Sequence, residues 1–191
     1  MPSRFRFTVC LTTVAGLALF AACKSPQNLP NATIPNQSDT VTLYALSGTA
    51  PGTPSGYALI GPAGPLVVYT ERSFTFDFAF DIDSQPKLLP SGTFPTLPNV
   101  AGLQKSSAAS FFALREAPLD GYVIDQPLVI GPGMLILVRS ATQICADGTN
   151  HSLYGKMQIL EIDYVARTLQ FEVMVDRNCG YLNLTPGIPT I

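Results

Sequence analysis

Ser73-Phe-Thr-Phe-Asp-Phe-Ala-Phe-Asp-Ile-Asp83 decides the fold class. Phe74, Phe76, Phe78, Phe80 and Ile82 take every second position, and Thr75, Asp77, Ala79, Asp81 and Asp83 fill the places between them. Successive side chains of an extended chain point to opposite faces. The pattern therefore predicts a strand with an aromatic face in the core and an acidic face in water.

Working outward, further strands are expected at Val41–Leu46, Tyr57–Ile60 and Leu66–Thr70, the last two flanking the turn-rich Gly61-Pro-Ala-Gly-Pro65 as a hairpin. Met134–Val138 is a continuous apolar run opened by Gly131-Pro-Gly133, which reads as a strand buried on both faces. Two long strands, Met157–Tyr164 and Thr168–Val175, join around Ala166-Arg167. In the first of them the apolar phase shifts between Ile159 and Leu160, which predicts a bulge or burial on both faces. Pro86, Pro90, Pro95 and Pro98 predict a long surface loop up to Val100. The one helix candidate is Ser106–Glu116, ended by Pro118. Short strands between Gly/Pro turns, with little helix, predict an all-β β-sandwich, immunoglobulin-like in general shape, with a β-barrel as the alternative.

The N-terminal end carries an address rather than a fold. Arg4 and Arg6 precede an uncharged, apolar or small stretch from Phe7 to Ala22, and no acidic residue occurs before Asp39. That is the layout of a secretory signal. Crossing the hydrocarbon core takes about 20 predominantly apolar residues, and Thr8, Thr12 and Thr13 interrupt this shorter run. Cleavage after Ala22 or after Ala21 would leave Phe20 or Leu19 at −3, where ordinary signal peptidase wants a small residue. Leu19-Phe20-Ala21-Ala22-Cys23 instead resembles a lipobox, with Phe20 where leucine is commonest. The resemblance implies a lipoprotein signal peptide at 1–22 and lipid attachment at Cys23. Buried acyl chains contribute about 0.8 kcal/mol per CH₂, so several chains anchor a domain without a membrane-spanning helix. Lys24, in place of the aspartate that retains lipoproteins at the inner membrane, implies the outer membrane. Residues 23–38, rich in Pro and Asn, read as a flexible tether reaching roughly 45 Å if extended. Residues 39–191 then form one domain.

The chain from Cys23 onward carries nine basic and thirteen acidic residues, a formal charge of −4. Its basic residues are scattered singly, which argues against a nucleic-acid partner. With Cys10 in the signal and Cys23 lipidated, Cys145 and Cys179 remain as one pair in an oxidising compartment, and a disulfide is expected. A two-thiol metal site would need more ligands than the single His151 offers.

No catalytic residue, metal site or cofactor is assigned. His151 sits in the turn-like Asp147-Gly-Thr-Asn-His-Ser152, and no Gly-x-Ser-x-Gly elbow occurs. Asp77, Asp81 and Asp83 offer oxygen ligands for calcium, but without the glycine and distal glutamate of a calcium loop; exposed acidic residues also discourage edge pairing. The expectation is a non-catalytic, lipid-anchored module that binds a protein or another component of the cell envelope. The alternative is a small apolar-ligand carrier with a cavity lined by Phe111, Phe112 and Tyr122, and the third reading is a hydrolase using His151.

Phe111-Phe-Ala-Leu-Arg-Glu-Ala-Pro118, Gly121-Tyr122, Met134–Ser140, Tyr154-Gly-Lys156 and Val175–Gly180 with Pro186-Gly-Ile-Pro189 resemble an uncharacterised family of small bacterial lipoproteins with a C-terminal β-rich domain. Phe78–Asp83 is similar to it as well. The resemblance implies an envelope location and adds no catalytic residue.

Overall fold

The strands assemble into two five-stranded antiparallel sheets packed face to face, with a separate two-stranded ribbon. The computed structural model describes residues 29–73, 75–97 and 100–190. The expected signal peptide, Cys23 with its expected lipid and residues 24–28 of the expected tether lie outside the described residues, as does Phe74. No helix among the described residues is long and apolar enough to cross a membrane.

The first sheet orders β1 (Ser38–Tyr44), β12 (Thr168–Asp176), β11 (Tyr154–Asp163), β8 (Leu135–Arg139) and β6 (Gly102–Ser106) from edge to edge. The second orders β3 (Leu66–Val68), β2 (Gly56–Ala58), β4 (Phe78–Ile82), β5 (Pro86–Pro90) and β7 (Leu128–Val129). β9 (Gln143–Ile144) and β10 (Asn150–His151) form the ribbon. This is the expected sandwich, and among the described residues no barrel closes.

The core between the layers takes Phe78, Phe80, Ile82 and Leu88 from one sheet and Val138, Met157, Phe171 and Val173 from the other. Tyr57, Phe78 and Phe171 pack ring against ring at 5.6 to 6.1 Å between centroids. Burying each such side chain stabilises the fold by roughly 1.5–3 kcal/mol. The register of β11 on β12 shifts between Ile159 and Glu161, so Leu160 is the extra residue of a bulge. Ile159 is buried and Leu160 exposed, as the phase shift in the sequence predicts. β8 is buried at four of its five positions, in keeping with its unbroken apolar run.

Four expectations need correction. The alternation from Ser73 breaks at Asp77. Phe78, Phe80 and Ile82 enter the central core, whereas Phe76 joins Ala58, Val68, Ala79 and Leu97 in a second cluster. There Phe76 meets the ring of Phe94 edge-on at 5.3 Å. With both faces of β4 covered, Asp77 and Asp81 are buried, and only Asp83 reaches water, beside Lys87.

The proline-rich stretch from Pro86 is not a surface loop at its start. Its first five residues are β5, and Leu88 is fully buried between β4 and β7. Pro86 and Pro90 stand at the two ends of the strand, where a missing N–H is tolerated. A single 3₁₀ turn, Ser91–Thr93, follows.

The expected helix at 106–116 is one turn, closed by Leu114 N–H donating to Ser110 O at 3.2 Å. The buried Lys156 explains why it stops. Its ammonium donates to Phe111 O at 2.6 Å and Leu114 O at 2.8 Å, taking carbonyls that a helix would pair with its own amides. The ammonium also stands 4.4 Å from the centroid of the Phe111 ring. Burial pushes the Lys156 pKa down to about 8.

Residues 29–37, expected from composition to belong to the flexible tether, lie against the domain. Asn178 Oδ1 accepts from Thr33 N–H and Ile34 N–H at 2.9 and 3.0 Å, and its amide donates to Ile34 O at 2.8 Å. Tyr181 hydroxyl donates to Pro30 O at 2.9 Å and accepts from Ala32 N–H at 3.2 Å. Asn36 is buried and bridges to Gly187. A segment without apolar periodicity docks here because distant polar side chains satisfy its backbone.

Candidate functional site: a groove between two sheet edges

The two lateral sides of the sandwich differ. On one side the chain crosses from β6 to β7 through residues 107–127, and Leu103 and Val123 exchange backbone hydrogen bonds at 2.9 and 2.8 Å. That crossover covers the β6 edge. On the other side β1 and β3 are both terminal strands, one in each sheet. Between them runs a groove of about 540 Å³.

Its apolar lining comes from Val41 of β1, Leu66 and Val67 of β3, Val173 and Val175 of β12, and Tyr57 of β2. Tyr57 is buried, and its phenol is held well above the ordinary tyrosine range by burial first, then by the carboxylates of Asp39 and Asp77. It therefore stays a neutral hydrogen-bonding group. Arg177 lines the groove too and donates to Ala63 O in the β2–β3 turn at 2.9 Å. Ile60, Leu66, Val67 and Tyr69, on and beside β3, are each more than a third exposed. A short edge strand carrying exposed aliphatic side chains lacks the charges that usually discourage pairing with another chain.

The residues singled out from the sequence lie elsewhere. Cys145 and Cys179 are bonded to each other and tie the β9–β10 ribbon to the segment after β12. His151 is in β10, and a Cβ placed on Gly180 would meet the His151 ring at 3.0 Å and Leu29 Cδ2 at 2.8 Å, so Gly180 sits close against both. Packed in this way, the histidine is part of the structure that docks residue 29.

The three aspartates do not converge on a cation. Asp77 accepts from Leu59 N–H at 2.6 Å and Ala141 N–H at 3.4 Å. Asp81 accepts from Ser47 N–H at 2.9 Å, Ser47 hydroxyl at 3.1 Å and Ile82 N–H at 2.8 Å. Asp83 pairs with the Lys87 ammonium at 2.5 Å. Among the described residues no cluster of three His, Cys, Asp or Glu side chains could hold a metal ion. Burial raises the Asp77 pKa to about 6 against the lowering effect of its two amide donors, whereas the Lys87 hydrogen bond first and backbone amides second lower Asp83 to about 2.

Phe111, Phe112 and Tyr122 have different surroundings. Phe111 is buried against Leu135 and Met174, Phe112 is 65% exposed, and Tyr122 packs with Leu114 and Tyr154 under the Arg139 guanidinium. The groove at β1 and β3 went unread in the sequence, because its walls come from strands far apart along the chain. The one local signal was Leu66-Val67, apolar side chains on a three-residue strand after a Gly/Pro turn.

Fold and site together define a two-layer β-sandwich with one covered and one open lateral side. Beyond this class no family can be named: neither a scan against protein-family models nor a search of curated proteins finds a match to the chain.

Proposed function

We propose that the chain is a non-catalytic, lipid-anchored binding module of the cell envelope, held at the outer membrane through Cys23, and that its groove takes an extended, largely apolar segment of a partner protein. The observation that carries the binding reading is the groove itself, an apolar trough flanked by the terminal strands of the two sheets. An added strand gains main-chain hydrogen bonds from such an edge, while its alternate side chains find the apolar walls. The anchoring reading is supported by the signal layout, by Leu19–Cys23 and by Lys24. A small apolar ligand is the second reading, favoured by a volume of about 540 Å³, within the range of small-molecule pockets at roughly 300–1,000 Å³.

Cross-linked capture of the lipidated protein from its own envelope, compared with Val67→Lys, tests the proposal. Val67 is 36% exposed, so the charge enters the groove without entering the core. The expected result is a stoichiometric protein partner that the variant loses while its melting temperature holds. A partner retained by Val67→Lys removes the groove from the reading. No partner together with binding of an apolar fluorophore favours the ligand carrier.

A further inference from the structure

We infer that one pole of the sandwich, the end carrying the disulfide and the β9–β10 ribbon, rests on the lipid surface and makes a second membrane contact beside the lipid of Cys23. The inference rests on the lipidation proposed above. Residues 29–37 are bound to the domain, so only residues 24–28 separate Cys23 from Leu29. However they are arranged, six Cα–Cα steps span at most about 22 Å.

The place where the bound segment begins then sets the orientation. It leaves β1 at Ser38, passes Asp176 and Asn178, and ends with Leu29 against Gly180 and His151. His151 pairs with Gln143, and Ile144 with Asn150, so the ribbon lies beside Leu29. The disulfide from Cys145 to Cys179 holds it there.

The surface of this ribbon suits an interface. Ile144 is 78% exposed, and Thr142, Ala146, Gly148, Thr149 and Asn150 are exposed and uncharged. Asp147 is the one charged residue from Thr142 to His151, with a carboxylate oxygen taken by Thr149 N–H at 3.0 Å and Thr149 hydroxyl at 2.7 Å. Weakly charged and apolar residues at the end nearest a lipid anchor fit the boundary between headgroups and acyl chains. The opposite pole is the β11–β12 turn at Tyr164 and Val165. The ten residues of β11 place it about 30 Å away. On this geometry it faces away from the bilayer, and the β1–β3 groove runs along the side between the two ends.

The sequence contains no tryptophan, so each introduced one is a sole probe. Full-length lipidated Ile144→Trp, Ala146→Trp and Val165→Trp are placed in phosphatidylethanolamine/phosphatidylglycerol vesicles with brominated acyl chains. Flotation is scored first. The expected result is that all three float, that emission at positions 144 and 146 falls with brominated lipid, and that emission at position 165 is unaffected. Val165→Trp adds the same indole at the opposite pole, so quenching confined to positions 144 and 146 is not produced by the indole alone. Floating protein with no quenching at 144 and 146, or with equal quenching at 165, overturns the orientation and leaves the anchor standing. Failure to float overturns the lipid reading, and this inference with it.

Discussion

The two poles of the sandwich are closed in opposite ways. At one, the Cys145–Cys179 disulfide, the buried Asp176 with Asn36 and Asn178, and Tyr181 bind the N-terminal segment and the ribbon. At the other, Arg167 donates to Ser47 O at 2.7 Å and to Ile82 O, beside Asp81, which accepts from the Ser47 amide and hydroxyl. Each pole also has its own buried aspartate from the same strand region. Asp77 near Ala141 has two amide donors, one of them long, and Asp81 near Ser47 has three donors. One pole is fixed by covalent and networked contacts among segments distant in sequence, whereas the other is held by hydrogen bonds from Arg167, in a left-handed turn position, and to Asp81.

Removing the disulfide should have the largest effect. Cys145→Ala with Cys179→Ala frees a loop of sequence separation 34, which in the chain-entropy account costs about 3.5 kcal/mol. A melting temperature lower by roughly 10 °C is expected. A fall of only a degree or two would show that the polar network holds this pole unaided.

Asp77 gives the next largest effect. Its pKa of about 6 lies above the ordinary 3.8, so the folded chain holds a proton that the unfolded chain releases between these values. The stability this group contributes is therefore present below pH 4 and is lost as pH rises through 6, by up to about 3 kcal/mol. Asp77→Asn mimics the protonated form. It should melt close to the parent at pH 4 and above it at pH 7, and parallel pH profiles for the two proteins would contradict the assignment.

Arg167 should show the smallest change and the cleanest division. Its φ of 55° is left-handed, a conformation costing a non-glycine residue roughly 1–2 kcal/mol. Arg167→Ala keeps that strain and loses both carbonyl contacts, so a loss of about 1–2 kcal/mol in denaturant melts is expected. Arg167→Gly relieves the strain and should recover part of the loss. Equal losses in the two variants would assign the whole effect to the hydrogen bonds.

The first sheet was the more legible. The alternation in β12, the bulge at Leu160 and the buried run of β8 are local patterns, because these strands are long or unbroken and their periodicity reports their burial directly. The second sheet was misread where coverage from elsewhere overrode the local pattern. Phe94 and Leu97 draw Phe76 and Ala79 into a second cluster, and Asp77 and Asp81 are buried against Leu59, Ala141 and Ser47 although their spacing suggests a wet face. Lys156 likewise replaces a helix with one turn by supplying donors to carbonyls more than forty residues away in sequence.

By itself, the sequence determined the all-β class, most strand positions and the pairing of Cys145 with Cys179, since each follows from period-two patterning or from counting the cysteines left for the domain. Only the tertiary structure decided which lateral side stays open, which aspartates lose their water and where residues 29–37 lie. These outcomes depend on strand order and on hydrogen bonds spanning well over a hundred residues, such as Asn178 to Thr33, and side-chain periodicity carries no record of either.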